Sequence, residues 1–368
     1  MKKFSIIPSV EEYRDFASFA REYNLSKDDL IITNKYILDV ENEGLECSII
    51  YQEKYGLGEP TDVMVNLMLE ELRNKQYKRI IAIGGGTVID IAKIIAVAPK
   101  GTRDVNELYE NMDNLKKQNE FFIIPTTCGT GSEMTNISIV NRTTIGTKQG
   151  LVSQEMYCDH AVLITQFIES IPYNVFATSS LDALVHGIES FLSPNANAYT
   201  DIFSKEAIRL IITSYQCLVS KKKTLPELAD IFIRASNYAG IAFGNAGCGT
   251  IHAMSYAFGG KYHVAHGESN YELLMGVLNY YYEKLPDGKI YELMNMFKEI
   301  LDDENGLQAL EELLNKILLW KPMSEYGMTD EEVSIFAHNT IENQKRLLDN
   351  SYIPMTEDAI GDIYSKCL

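Results

Sequence analysis

The sequence predicts an α/β domain over residues 1–171 followed by an all-helical domain over residues 172–368. Two observations carry this. In the first half, short β-branched runs alternate with helical apolar spacing, which argues a parallel sheet with crossover helices. After Ile171-Pro172 strand signals thin out and long helical patterns take over. A length of 368 residues also suggests about two domains.

Leu30 to Thr33 reads as a strand, and Ser48 to Tyr51 as another, followed by the turn-rich Gly56-Leu57-Gly58-Glu59-Pro60. Val63, Val65, Leu67, Met68 and Leu72 then fall at helical spacing. Arg79 to Ile83 is a continuous apolar strand of the kind buried on both faces. Thr87 to Val97 reads as a helix ended by Pro99 and Gly101. Phe121 to Ile124 is a further strand, closed by Pro125. In the second half, helices are expected at Leu181 to Phe191, Phe203 to Val219, Leu307 to Leu319 and Glu331 to Leu347.

Composition narrows the partners. Hydrophobic residues make up 46% and charged residues 23%, which is globular. The net charge of −18 repels nucleic acid and anionic lipid, so neither is expected as a partner. Six cysteines without a CxxC read as reduced thiols in a cytoplasmic protein. The apolar stretch after Met1-Lys2-Lys3 is too short for a signal sequence. Gly84, Gly85, Gly86, Asp90 and Lys93 interrupt the most apolar region, so no membrane span is expected there.

Three segments carry chemistry. The first is strand, glycine turn, helix, at Gly84-Gly85-Gly86-Thr87. Glycines let backbone approach a ligand, and the helix N-terminus favours an anion such as a diphosphate. The same turn serves equally as a tight connection with no ligand. The second, Pro125-Thr126-Thr127-Cys128-Gly129-Thr130-Gly131-Ser132-Glu133, suits a ligand loop at the carboxyl edge of a parallel sheet. It also suits a polar turn with Ser132 as a helix N-cap. Cys128 has no evident base beside it and reads as a packing residue rather than a nucleophile. The third segment places Asp182 and His186 at i and i+4, on one helical face, with His252, His263 and His266 following in glycine-flanked patches. A carboxylate with imidazoles suits Fe(II) or Zn(II). Spacing alone leaves these as ligands or as structural histidines.

Together the three segments resemble the iron-containing (group III) alcohol dehydrogenases, which share a dehydroquinate synthase-like architecture, over nearly the whole chain. The resemblance implies a dinucleotide-binding first domain, a metal-binding second domain, and alcohol oxidation with NAD. It implies metal ligands at Asp182, His186, His252 and His266, with Fe(II) or alternatively Zn(II). It implies pyrophosphate contacts at Gly85, Gly86 and Thr87, with Asp90 toward the nicotinamide. Thr127 and Thr130 match cofactor-contacting hydroxyls, and Lys148 matches a lysine on the cofactor ribose. A homodimer paired through N-terminal parts is implied as well.

Several runs, among them Tyr51 to Pro60, Ser193 to Asn197 and Tyr262 to Glu268, are similar to the branch of the family that interconverts 4-hydroxybutyrate and succinate semialdehyde. The alternatives are a family member acting on short-chain alcohols or diols, or a sugar-phosphate cyclase-type lyase of the superfamily. The lyase needs a basic phosphate pocket, and no Lys/Arg cluster stands in sequence around the metal patches.

Two departures stand out. Many relatives carry Asp where this chain has Asn34, so selection of NAD over NADP is less secure. Many carry a proton-relay His where this chain has Tyr256, while His263 replaces an Asp or Asn. Tyr256 and His263 are therefore the candidate catalytic residues. His263 is the first candidate to anchor a substrate carboxylate, with Lys261 and Tyr262 as the others.

Overall fold

The computed structural model describes residues 3–39 and 44–368; Met1 and Lys2, the start of the stretch weighed as a leader, lie outside them. The chain divides into one unit over Ile6–Ser170 and a second over Ile171–Leu368, with residues 3–5 grouped in the second.

The first unit is built on a six-stranded, all-parallel sheet. Its strands are β1 (Ser9–Tyr13), β2 (Asp29–Thr33), β3 (Ser48–Tyr51), β4 (Arg79–Gly84), β5 (Glu120–Pro125) and β8 (His160–Ile164), in the order β1-β8-β5-β4-β2-β3. A separate antiparallel hairpin pairs β6 (Ile137–Arg142) with β7 (Thr147–Val152). β2 and β4 are buried throughout, as their unbroken apolar runs require of central parallel strands. Alternation still sorts the faces. Ile31, Ile81, Ile83, Phe122, Ile124, Val162 and Ile164 pack on Phe16 and Phe19 of the helix Phe16–Glu22. At the amino edge, Arg79 grips Asp29 through two 2.7 Å bonds, pinning the β2–β4 register where these two residues pair.

β1, β6, β7 and β8 did not figure among the expected elements, and the reason is partly polarity. β1 is an edge strand carrying Glu11 and Glu12, and β7 alternates exposed and half-buried residues up to the buried Leu151, so neither shows an apolar run.

The second unit is helical. Tyr173–Leu192, Ala198–Val219 and Ala229–Ala246 pack on one another, and His266–Lys284 lies against both Tyr173–Leu192 and Thr250–Tyr262. The first of these starts at Tyr173, just after Pro172, well before the expected Leu181. The expected Glu331–Leu347 helix is two, Asp330–Asn343 and Lys345–Leu348, broken at Gln344, whose ψ of 28° leaves the helical range. No helix among the described residues is long and apolar enough to cross a membrane.

Candidate active site

At the carboxyl end of β4, Gly84 sits where a Cβ would stand 2.5 Å from Val88 Cβ, so strand and helix meet too closely for a side chain. Gly85 and Gly86 differ. A Cβ there would make only ordinary contact, 3.5 Å from Thr127 Cγ2 and 3.4 Å from Thr130 Cγ2. Internal packing therefore does not demand these two glycines. The helix Gly86–Val97 has Gly85 as its N-cap and no side-chain cap, so its first N–H groups are left for a ligand. A cradle walled by Thr127 and Thr130 over an uncapped helix end fits a diphosphate.

The surroundings hold this cradle in place. Thr87 Oγ1 donates to Gly58 O (2.9 Å), and Lys148 on β7 pairs with Glu59 (2.5 Å), tying the 56–60 loop and the hairpin toward the turn. Lys93, fully buried, donates 2.8 Å bonds to Ser132 Oγ, Thr135 Oγ1 and Ile137 O. Asp90 accepts from Ser132 Oγ (3.1 Å) and from the Ile139 N–H (2.9 Å), so its carboxylate holds the second glycine loop to the helix. Burial pushes its carboxyl pKa up and the Lys93 charge works against that. Ser132 is thus not the helix N-cap it could have been. It opens a short 3-10 turn whose N-cap is Gly131 in the left-handed region, and its hydroxyl serves the Asp90–Lys93 network. Cys128 is fully buried, in keeping with packing.

In the helical unit, four of the five singled-out Asp and His side chains converge. Asp182 Oδ1 lies 3.7 Å from Nε2 of both His252 and His266, and His186 Nε2 lies 3.0 Å from His252 Nε2. Asp182, His186 and His252 are buried, while the His266 side chain is 39% exposed and marks the open side. Gly267 makes this possible. A Cβ on it would stand 2.0 Å from Thr178 O, so only glycine lets the two helices approach and bring His266 to Asp182.

Two residues that sequence reasoning passed over complete the cradle. Glu189 accepts from the Gly249 and Ile251 N–H groups (3.0 and 2.6 Å), capping the helix Thr250–Tyr262 from a neighbouring helix. It also takes the His252 Nδ1–H (2.6 Å), so Nε2, which faces the cradle, is the nitrogen that can offer a lone pair once a cation displaces its proton. Asn270 Nδ2 donates to Asp182 Oδ1 (2.8 Å), and its buried Oδ1 has no partner. Both were signalled by helical spacing, Glu189 three residues after His186 and Asn270 four after His266.

Electrostatics favour positive charge here. Burial works against a charged His252, yet the Cys248 sulfur and the Glu189 carboxylate beside it hold its pKa well above the ordinary value. Burial likewise works to raise Asp182, and His186, His266 and His252 override it and keep the carboxyl low. Lone pairs from one carboxylate and three imidazoles, with an orphaned amide oxygen beside them, fit a divalent transition metal.

The remaining candidates are placed differently. The Tyr256 ring lies 5.8 Å from the His266 ring, centroid to centroid, and packs on Cys248 and Leu347. His263 is not in the cluster. It is exposed at the C-terminal end of Thr250–Tyr262, in the left-handed region at φ 55°. Lys261 and Tyr262 both bond Glu332, so two of the three anchor candidates have carboxylate partners already. Asn34 is buried after β2, with Nδ2 donating to Gln52 Oε1 (3.1 Å) and Glu53 Oε2 (2.9 Å).

Comparison with known proteins follows the same division. Residues 14–165 match the family model described as iron-containing alcohol dehydrogenase, and residues 176–368 match the Fe-containing alcohol dehydrogenase family, C-terminal. The chain is 45% identical to the 4-hydroxybutyrate dehydrogenase of Clostridium kluyveri, with 100% of both chains covered. It is 31% identical to long-chain-alcohol dehydrogenase 1 of Geobacillus thermodenitrificans, covering 91% of this chain and 88% of that one. In fold it is similar to sulfoacetaldehyde reductase from Bifidobacterium kashiwanohense in complex with NAD+, at a TM-score of 0.85 and 20% identity, covering 100% of this chain and 98% of that one.

Proposed function

The chain belongs to the iron-containing alcohol dehydrogenase family, and from that premise we propose that it interconverts 4-hydroxybutyrate and succinate semialdehyde with NAD(H). The observation that carries the chemistry is the convergence of Asp182, His186, His252 and His266, with Glu189 holding His252 in the ligating tautomer.

These four residues hold the metal, Fe(II) in this reading with Zn(II) as the alternative. When bound, the metal supplies a Lewis acid that lowers the alcohol pKa in oxidation and polarises the aldehyde in reduction. NAD, when bound, supplies the hydride acceptor or donor. The N–H groups at Gly85, Gly86 and Thr87 hold its pyrophosphate, and Thr127 and Thr130 wall it in. Asp90 acts by fixing the loop that carries Thr130. Lys148, exchanging Glu59 for the cofactor ribose, and Asn34 at the adenosine ribose complete the set. Tyr256 keeps its phenolic proton at neutral pH as any tyrosine does, burial pushing its pKa further up, and its ring beside that of His266 places it as the relay group of this reading. His263 is the proposed anchor for the substrate carboxylate, since its exposed ring can turn to an anion while Lys261 and Tyr262 stay with Glu332. Cytoplasmic location is supported by six cysteines without a disulfide, and the resemblance supports a homodimer.

The test follows NADH absorbance with succinate semialdehyde, using metal-free protein to which Fe(II) or Zn(II) is added back. NADH consumption restored by metal supports the reading. Consumption that is absent under both metals, or that prefers an uncharged four-carbon aldehyde, refutes it.

A further inference from the structure

In doubly wound parallel sheets a dinucleotide lies across the carboxyl ends of the strands. The strand beside the glycine turn then presents an acidic residue to the adenosine ribose. Here the glycine turn follows β4, and β2 is its neighbour, paired from Asp29↔Arg79 to Ile32↔Ala82. The residue after β2 is the neutral Asn34, and its amide nitrogen is engaged by protein acceptors. One of these is a carboxylate. Glu53, just after the next strand β3, takes Asn34 Nδ2–H on Oε2 (2.9 Å) and the Lys35 N–H on Oε1 (2.8 Å). β2 and β3 run parallel and in register from Leu30↔Ser48 to Thr33↔Tyr51, so the two carboxyl ends, and the residues that follow them, stand side by side. Glu53 is half-buried, and with bonds from Asn34, Lys35 and its own N–H its carboxylate still keeps one acceptor position in hand.

The other charges described near this corner are two lysines and Asp39, which pairs with one of them. Lys35 Nζ stands 3.8 Å from Asp39 Oδ2 and 5.8 Å from the centre of the Tyr51 ring, and Lys54 Nζ stands 5.1 Å from that same ring. Two lysines beside a ribose would welcome a 2′-phosphate. Beyond the pairing of Asp39 with Lys35, what opposes them is the Glu53 carboxylate fixed between strand ends. Burial alone would raise the Glu53 pKa, and the bonds from Lys35 N–H and Asn34 override it, so the charge is present at neutral pH.

We propose that Glu53 supplies the negative charge by which this site selects NAD and rejects NADP, in place of an acidic residue at position 34. The proposal rests on the dinucleotide reading of the glycine turn. A 2′-hydroxyl can donate to a free Glu53 lone pair, whereas a 2′-phosphate meets like charge.

The test is calorimetric titration of the whole protein with NAD+ and with NADP+. In Glu53→Gln, NADP+ binding should tighten by roughly tenfold to a hundredfold, because Lys54 and Lys35, the latter shared only with Asp39, then meet the 2′-phosphate without the Glu53 charge, while NAD+ affinity moves by about threefold or less. Glu53→Asp should keep the wild-type preference. Asn34→Asp should add little, since a second carboxylate beside the first brings mostly mutual repulsion. An unchanged NAD+/NADP+ ratio in Glu53→Gln overturns the proposal, as does equal weakening of both dinucleotides. A large gain in selectivity from Asn34→Asp alone would assign the discrimination to position 34. A wild-type protein that binds neither dinucleotide overturns the underlying reading of the glycine turn, a result distinguishable from failure at Glu53.

Discussion

The two units build their sites from different materials. The glycine turn after β4 is made of backbone and of missing side chains: N–H groups at an uncapped helix end, with room above Gly85 and Gly86. The cradle in the helical unit is made of side chains, Asp182, His186, His252 and His266 converging, with Glu189 bonded to His252 and Asn270 to Asp182. A backbone site tolerates substitution until something fills the space, because its donors belong to every residue. A side-chain site fails when any one group goes, because each lone pair is unique and buried charge is left uncompensated.

The sharpest break should come at Asp182→Ala and His252→Ala. Each removes a proposed ligand from the polarising site, so kcat/KM is expected to fall about a thousandfold or more, several kcal/mol. Metal analysis of the purified variants should show loss of the ion. Full occupancy with full activity would remove these residues from the site.

Glu189→Gln comes next, with metal affinity expected to drop roughly tenfold to a hundredfold, as for other groups that orient a metal-binding imidazole. It touches no lone pair of the cradle directly, so competition with a chelator is the measurement. Affinity equal to wild type would mean that Glu189 serves only as a cap for the Thr250–Tyr262 helix.

His263→Asn probes the substrate's far end. A loss of about 1.5 kcal/mol in kcat/KM, roughly tenfold, is expected for succinate semialdehyde but not for an uncharged aldehyde of equal length. Equal losses with both substrates would move His263 from anchoring to proton relay or metal support.

The glycine turn comes last, and there the comparison sharpens between two adjacent residues. Gly84→Ala forces a methyl to 2.5 Å from Val88 Cβ and should cost about 1–3 kcal/mol of stability in a denaturant melt. Gly85→Ala should leave the melt nearly unchanged while weakening NAD+ by about 1 kcal/mol, roughly fivefold. A destabilised Gly85→Ala with intact NAD+ binding would make the turn a packing device and not a cradle.

Legibility in the sequence followed the same line. β2, β4 and β5 were readable because central parallel strands are apolar on both faces, β3 at the sheet edge because Ser48-Ile49-Ile50-Tyr51 is a short β-branched run before a turn, and the glycine turn because it punctuates β4. The hairpin carrying Lys148 was not, because a half-solvated hairpin mixes Thr, Lys and Gln into its alternation. Asp182 and His186 were linked by their spacing on one helix, but nothing local joined them to His252 and His266. Glu189 shares their face and went unread, since a carboxylate on a helix is ordinarily solvated and only its burial gives it meaning.

By itself, then, the sequence determined the alternating first half, the helical second half, the uncapped glycine turn and the residue types of a transition-metal site, because local propensity and periodicity are properties of adjacent residues. Only the tertiary structure decided which partner each polar group meets. It turned Asp90 onto the Ser132 loop, brought His266 to Asp182 across the bare backbone of Gly267, and gave the neutral Asn34 a carboxylate from the neighbouring strand. Those pairings join residues far apart in the chain, and the energy of a hydrogen bond or a charge depends on distance in space, which spacing in sequence does not record.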